Sequence, residues 1–295
     1  MNYKAYLQNK GYSETTIESY DLAKSRFIEW CIKQGTSASE IDYKKLLSYT
    51  KSLTRKGNSK RTVNHKLAII KNYFEYLMKQ SYRVDNPAEG IIIKGVVKKQ
   101  LYNLLESEEL EDLYYSFETE NIKDPYHRLT AKRNKVIIGL MVYQGLNTTS
   151  LIQLEVNHVN IYKGKIYIPS SKRTNARELE LKPWQVIELL EYIKETREEI
   201  KQRKMVESER LFIPNNARLG NTILNIIKKL KKYNSKVDNI NQIRASVLSG
   251  WTRQYNLRKV QVMAGHRYIS STEKYVQDDL ENLQEIINNY HPISE

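Results

Sequence analysis

One stretch near the end of the chain decides how the rest is interpreted: Ala264-Gly265-His266-Arg267-Tyr268-Ile269-Ser270-Ser271-Thr272-Glu273-Lys274-Tyr275. The chain has 22 tyrosines, and since most tyrosines serve packing or lie on the surface, a single tyrosine indicates nothing. Tyr275 differs because it stands nine residues after the Gly265-His266 pair, with a Ser-Thr pair between them. The spacing and the neighbours therefore single out Tyr275.

The charge of the chain favours a polyanionic partner. There are 48 Lys and Arg residues against 34 Asp and Glu residues, which leaves a net charge of +14 and a pI of about 9.5. Unpaired charges are rarely buried, so this excess must lie largely on the surface. General solubility with weak, nonspecific nucleic-acid affinity is an alternative explanation.

A membrane surface would also attract a basic protein. However, no run of about 18 apolar residues exists, no signal-like segment is evident, and the mean hydropathy is −0.64. We therefore expect a soluble, cytoplasmic protein. Cys31 is the only cysteine, so an internal disulfide is excluded, and the five histidines show no metal-binding spacing. We expect no metal and no other cofactor.

A length of 295 residues predicts two domains. In residues 1–86, apolar residues recur at helical spacing, as in Val63, Leu67 and Ile70, which predicts a bundle of about four helices. Ser13 and Ser59 stand where a hydroxyl can cap a helix start.

The helix that begins near Ser59 is the candidate DNA-binding element of this bundle. Its apolar stripe leaves several polar residues on other faces, close to a helix N-terminus that favours anions. These residues are Lys60, Arg61, Asn64, His65 and Lys71. They can hold phosphates, although a merely solvated charged face remains an alternative.

Asn86-Pro87 predicts the end of the bundle, and residues 87–105 are interpreted as a flexible, basic interdomain linker. The second domain, 106–295, opens with Glu106 and further carboxylates that complement a helix dipole. It is predicted to be mainly helical, with one hairpin formed by residues 165–169 and 177–181 around a basic turn. The predicted fold class is mainly α with a small antiparallel β-sheet.

The stretch ending at Tyr275 resembles the C-terminal active-site signature of the tyrosine recombinase, or phage integrase, family, including its Xer-like members. Lys10-Gly11-Tyr12-Ser13 and Asn86-Pro87-Ala88 resemble the N-terminal part of the same family, so the resemblance covers nearly the whole chain. It implies an N-terminal SAM-like helical core-binding domain and a mixed α/β catalytic domain, which together clamp duplex DNA. It also implies a homo-tetramer, or a hetero-tetramer with other recombinases, on DNA recombination sites at the nucleoid.

The resemblance implies that Tyr275 attacks a phosphodiester to give a 3′-phosphotyrosine and a free 5′-hydroxyl. A phenol is a poor nucleophile at its usual pKa of about 10, so it needs cations around the phosphate. The covalent intermediate conserves bond energy, and a second strand can therefore rejoin the DNA without ATP or metal. The implied function is site-specific DNA recombination and integration for a mobile element.

The supporting catalytic residues are carried over one at a time. Lys172, in the turn of the hairpin, would protonate the leaving 5′-oxygen. Arg244, in Asn241-Gln242-Ile243-Arg244, aligns with the family's His-x-Leu-Arg and would fork two phosphate oxygens. His266 would bond to the phosphate or assist proton movement.

Two positions depart from the family pattern. Asn147, in Gly145-Leu146-Asn147, stands where the family has its first catalytic arginine, and Asn241 replaces the histidine of His-x-Leu-Arg. An amide carries no charge, so losing the first arginine is expected to lower the rate by about 10²–10³. Arg173 and Arg267 are candidates for the missing cation, and Arg177 is a poorer candidate because it already fills a family hairpin position.

Three functional interpretations therefore remain open. The first is an active recombinase, and the second is a catalytically weak or silent DNA-binding accessory subunit, which Asn147 and Asn241 favour. The third is a type IB topoisomerase with the same phosphotyrosine chemistry. The apolar stripe after Tyr275, with Leu280, Leu283, Ile286 and Ile287, is expected to dock either on a neighbouring subunit or on its own domain.

Overall fold

The protein is represented by a computed structural model that describes residues 1–95, 103–215 and 218–276. The chain divides into two compact units, Met1–Gln100 and Leu101–Glu295. The domain limits predicted from the sequence stay predictions. The stripe at 280–287 lies outside the described residues. No helix in the described part of the chain is long and apolar enough to cross a membrane.

The first unit is a helical bundle, as its apolar periodicity predicts. Its core is formed by apolar and aromatic side chains, among them Phe27, Leu46 and Phe74, which are completely buried. The helices are α1 (Tyr3–Asn9), α2 (Glu14–Lys33), α3 (Tyr43–Arg55) and α4 (Lys60–Lys79).

The two predicted serine caps behave differently. The hydroxyl of Ser59 accepts a hydrogen bond from the Thr62 amide at 3.2 Å, which confirms the cap of α4. Ser13 stands at the start of α2, where its hydroxyl bonds to Thr16 Oγ1 at 2.9 Å and accepts no capping bond from a backbone amide. A hydroxyl can both donate and accept, and the sequence does not show which neighbours it pairs with.

Both ends of the predicted linker are packed. Ala88 and Ile91 are buried in the core of the first unit. Leu105 is buried in the second core, and its amide donates to Ser246 Oγ at 2.9 Å. Apolar side chains at the ends of a linker gain by burial wherever a core is within reach. Residues 96–102, in the middle of the predicted linker, lie outside the described residues.

The second unit is mainly helical with one small antiparallel sheet, which confirms the predicted fold class. A capping box starts its first helix, since the Glu106 amide donates to Glu109 Oε2 at 3.0 Å. The helices are α5 (Ser107–Tyr115), α6 (Pro125–Val142), α7 (Thr148–Gln153), α8 (Pro183–Glu191), α9 (Arg197–Lys204), α10 (Leu219–Tyr233), α11 (Ile240–Gln254) and α12 (Leu257–Ala264).

The sheet has the order β1-β2-β3, with β1 (Val159–Asn160), β2 (Lys165–Ile168) and β3 (Arg177–Glu180). The hairpin predicted from the sequence is β2 and β3, whose antiparallel register pairs Ile168 with Arg177. Strand β1 was not predicted, because two residues are too short to show an alternating pattern. Along β3, Arg177 and Leu179 are buried whereas Glu178 and Glu180 are exposed. Arg177 therefore stands on the buried face, at the end of the strand next to the turn.

Candidate active site

Arg244 lies at the centre of the candidate site. It projects from α11, is only 6% exposed, and is held by backbone carbonyls from two other segments. Nη1 donates to Gly145 O at 2.5 Å, and Nη2 donates to Ala264 O at 2.8 Å. These bonds fix the plane of the guanidinium and join the end of α12 to the segment before α7.

Gly265 follows Ala264 and has a left-handed backbone, with φ of +71°. A Cβ at this position would lie 2.5 Å from Arg177 Nη1 and 2.9 Å from Asn175 O. Only glycine fits here, because both the dihedral angle and the close approach exclude a side chain. The absence of a side chain brings Arg177 directly against the segment that carries His266.

His266 is half-buried and bonded through both ring nitrogens. Nδ1 lies 2.9 Å from Thr272 Oγ1, and Nε2 lies 3.4 Å from Arg244 Nη2. A guanidinium only donates, so we assign Nε2 as the acceptor and Nδ1–H as the donor to Thr272. Burial, followed by the positive charges of Arg244 and Arg177, lowers the pKa of His266 to about 4. The imidazole is therefore neutral at neutral pH.

Tyr275 lies on the helical residues 270–276 and comes directly beside His266. The two rings are stacked, with centroids 5.8 Å apart and planes inclined by 7°. Tyr275 also forms a side-chain hydrogen bond with Arg244; burial lowers the pKa of Arg244, and this contact opposes the shift. The structure thus brings Arg244, His266 and Tyr275 together, as the sequence pattern predicts.

Lys172 is exposed on the hairpin turn, and that turn is tied to the same site. Thr174 forms an antiparallel bridge with His266, and the Asn175 amide donates to Gly265 O at 2.9 Å. Arg267 Nη2 donates to Ser171 O at 3.0 Å. These contacts fasten the turn on both sides of Lys172 to the segment that precedes Tyr275.

The two asparagines at the degenerate family positions have different surroundings. Asn147 caps α7, since its Oδ1 accepts from the Ser150 amide at 2.9 Å. It is close to the site, because Gly145, two residues earlier, bonds to Arg244. Asn241 is exposed in the first turn of α11. Neither brings charge to the site.

The sequence did not predict that the side chain of Arg177 is buried at the site. It is 5% exposed, and its Nε, Nη1 and Nη2 atoms are all buried without a hydrogen-bond partner in the described part of the chain. Burial and the nearby charge of Arg244 lower its pKa to about 10, so it remains cationic at neutral pH. Arg173 and Arg267, the substitutes favoured by the sequence, are both exposed.

The candidate DNA-binding residues of the first unit lie on α4. Lys60, Arg61, Asn64 and His65 are exposed, and Lys71 is half-buried. Their exposure is compatible with phosphate contacts.

Comparison with known proteins identifies the family. The profile of the phage integrase family matches residues 103–282, and that of the phage integrase N-terminal SAM-like domain matches residues 1–81. The chain belongs to the phage integrase family. The family membership that the motifs predict is therefore confirmed, whereas the roles of individual residues stay predictions.

The curated relatives of this integrase-family chain are tyrosine recombinases. Tyrosine recombinase XerD of Staphylococcus haemolyticus is 26% identical over 300 residues, which cover 98% of this chain and 97% of the relative. Tyrosine recombinase XerA of Pyrococcus furiosus is also 26% identical, over 97% of this chain and 91% of the relative.

Solved structures show the same fold. XerH site-specific recombinase, in a pre-cleavage complex with its difH substrate, superposes with a TM-score of 0.68. The two chains are 20% identical, and the match covers 92% of this chain and 80% of the other.

Proposed function

We propose that this protein is a site-specific DNA recombinase that cleaves and rejoins DNA through a 3′-phosphotyrosine at Tyr275. The observation that carries the proposal is the cluster of Arg244, His266 and Tyr275, in which the phenol stacks on the imidazole and bonds to the guanidinium. Membership of the phage integrase family and the recombinase relatives support it.

The charge of the site favours a phosphodiester as the substrate. Arg244 and Arg177 are both buried, and neither takes part in an ion pair among the described residues. Burying a charge without a counterion is unfavourable, and a phosphate would neutralise both cations. The basic surface of the whole chain, with its net charge of +14, would attract DNA to this site.

In the proposed cleavage step, the Tyr275 oxygen attacks the phosphorus and the bond to the 5′-oxygen breaks. Arg244 would stabilise the charge on the nonbridging oxygens, while Lys172 on the hairpin turn would give a proton to the leaving 5′-oxygen. Attack by a 5′-hydroxyl on the phosphotyrosine reverses these steps and joins the new strand.

His266 is suited to take the proton of the phenol. Its Nε2 is an acceptor in the tautomer assigned above, and the neighbouring arginines are the second cause of its low pKa, after burial. A bound phosphate would offset those positive charges, so the pKa of His266 would rise towards its usual value. The imidazole would become a better base when the substrate is in place.

The assembly proposed for the reaction follows from strand exchange. Two duplexes, each with two inverted half-sites, require about four protomers, which is the closed arrangement expected of a symmetric oligomer. The exposed residues of α4 would contact phosphates of the bound DNA, at the nucleoid, and a mobile element would be the natural source of the recombination sites.

Covalent trapping tests the proposal. The full chain is incubated with nicked half-site oligonucleotides from the ends of its element, beside Tyr275→Phe, and SDS-resistant adducts are counted. We expect an adduct with the native protein and none with Tyr275→Phe. Binding without an adduct would contradict recombination and assign the chain an accessory DNA-binding role. Relaxation of supercoils without strand exchange would indicate a topoisomerase.

A further inference from the structure

Arg177 is a charged side chain that makes no hydrogen bond to any described residue. A guanidinium offers five N–H donors, and buried donors normally have partners. All three nitrogens of Arg177 are buried and without a partner in the described part of the chain. An arginine with a purely structural role is expected to donate hydrogen bonds, because each buried donor without a partner destabilises the fold.

The surroundings of Arg177 make its burial still less favourable for the free protein. Burial, followed by repulsion from Arg244, lowers the pKa of Arg177, and burial, followed by the charges of both arginines, lowers the pKa of His266. Within the described residues no carboxylate forms an ion pair with Arg177 or Arg244. Among the described residues, the centre of the site thus holds two like charges and no counterion.

Arg177 lies beside the segment that carries His266. Its Nη1 lies against Gly265, the residue immediately before His266, where a Cβ would approach it to 2.5 Å. The donors of Arg244, in contrast, are partly occupied by the carbonyls of Gly145 and Ala264. Arg177 is consequently the guanidinium in this site that makes no hydrogen bond within the described residues.

We infer that Arg177 binds the scissile phosphate and supplies the second guanidinium of the active site. The inference rests on the proposed recombinase function and adds a substrate-binding residue to it. Asn147 cannot take this role, because its amide is uncharged and its oxygen caps α7. Arg173 and Arg267 are exposed, and Arg267 already donates to Ser171 O. Arg177 is the cation that is already desolvated.

The first experiment compares Arg177→Met with the native chain on two half-sites, one with a normal scissile phosphate and one with a methylphosphonate. Methylphosphonate is uncharged and does not need a second cation. We expect the variant to form its adduct about 10²–10³ times more slowly on phosphate, and less than about tenfold more slowly on methylphosphonate. Arg203→Met, which removes an exposed arginine on α9, is the control and should match the native protein on both substrates.

The stability of the same variant separates substrate binding from a structural role. Replacing an unpaired buried charge by an apolar side chain of similar size is neutral or stabilising. We expect the Tm of Arg177→Met to equal or exceed that of the native chain, with a rise of up to about 4 °C for a domain of this size. Equal loss on both half-sites, native activity, or a lowered Tm would each contradict the inference.

A second experiment measures anion binding directly, so that this inference can be tested independently of the recombinase proposal. Tungstate, a tetrahedral dianion, should raise the Tm of the native chain and raise that of Arg177→Met by a smaller amount. If the native chain forms no adduct, the recombinase proposal fails, while a difference between the two tungstate shifts would still support an anion site at Arg177. Equal shifts would overturn that site.

Discussion

Two buried arginines of the second unit have opposite surroundings. Arg133 on α6 is fully buried, and its guanidinium donates to Ile213 O at 2.7 Å, to Asn215 Oδ1 at 2.8 Å and to Asn134 Oδ1 at 2.7 Å. Arg177 on β3 is 5% exposed and donates to nothing in the described part of the chain.

We interpret Arg133 as an arginine that stabilises the fold and Arg177 as one that binds a ligand. Arg133 offsets the loss of water with bonds to the protein, so its burial is compatible with a stable free protein. Arg177 lacks that compensation and would gain it from a bound anion.

The largest effect is expected for Arg244→Met, which removes the other cation of the site. Loss of its charge from the reacting phosphate should lower the rate of adduct formation by about 10²–10³. Unlike Arg177, Arg244 also bonds to Gly145 O and Ala264 O, so this variant should lose stability as well. Single-turnover adduct formation and urea unfolding measure the two effects. A variant with native stability would show that those carbonyl bonds contribute nothing.

The next effect is expected for Arg133→Met. It leaves the acceptors Ile213 O, Asn215 Oδ1 and Asn134 Oδ1 without their donor, so the free energy of unfolding should fall by about 3 kcal/mol. Urea unfolding beside Arg177→Met makes the comparison direct, since that variant should lose none. Equal losses in the two variants would abolish the distinction between the arginines.

A smaller effect is expected from the titration of His266. Its folded pKa of about 4 lies below its usual value of 6.5, so only the unfolded chain takes up this proton as the pH falls between these values. The resulting stability is fully present above pH 6.5 and is lost towards pH 4. After allowance for solvent screening it amounts to about 1–2 kcal/mol.

The matched comparison is His266→Gln with His65→Gln, whose side chain is exposed on α4. Unfolding free energies at neutral and acidic pH should show a shallower loss for His266→Gln and the loss of the native chain for His65→Gln. The same pH slope in both variants would mean that neither burial nor the neighbouring arginines lower the pKa of His266.

The smallest effect is expected at the exposed cations of α4, which contrast with both buried arginines. Lys60→Gln combined with Arg61→Gln should reduce the slope of log affinity against log salt by about 1.8, as each phosphate contact contributes about 0.9. Binding titrations at several salt concentrations measure this slope. Lys163→Gln, exposed between β1 and β2, should leave it unchanged, and a slope unaltered by the double variant would remove α4 from the DNA interface.

Local patterns account for much of what the sequence predicted. The helices of the first unit and the β2–β3 hairpin follow from periodicity that a few neighbouring residues already show. The sequence predicts a cap at both Ser59 and Ser13; both hydroxyls bond to the threonine three residues later, but only that of Ser59 also accepts a backbone amide. The limits of the linker stay a prediction, and the burial of Ala88 at one end depends on packing against distant helices.

The sequence by itself determined the family, the fold class and the candidate status of Arg244, His266 and Tyr275, because motif spacing is a property of the chain. Only the tertiary structure made Arg177 our candidate for the role of the missing arginine. The sequence favoured Arg173 and Arg267, yet both are exposed, whereas Arg177 is buried without a partner among the described residues. The physical reason is that desolvation of a guanidinium depends on what packs over it, here the backbone at Gly265, which lies 88 residues farther along the chain.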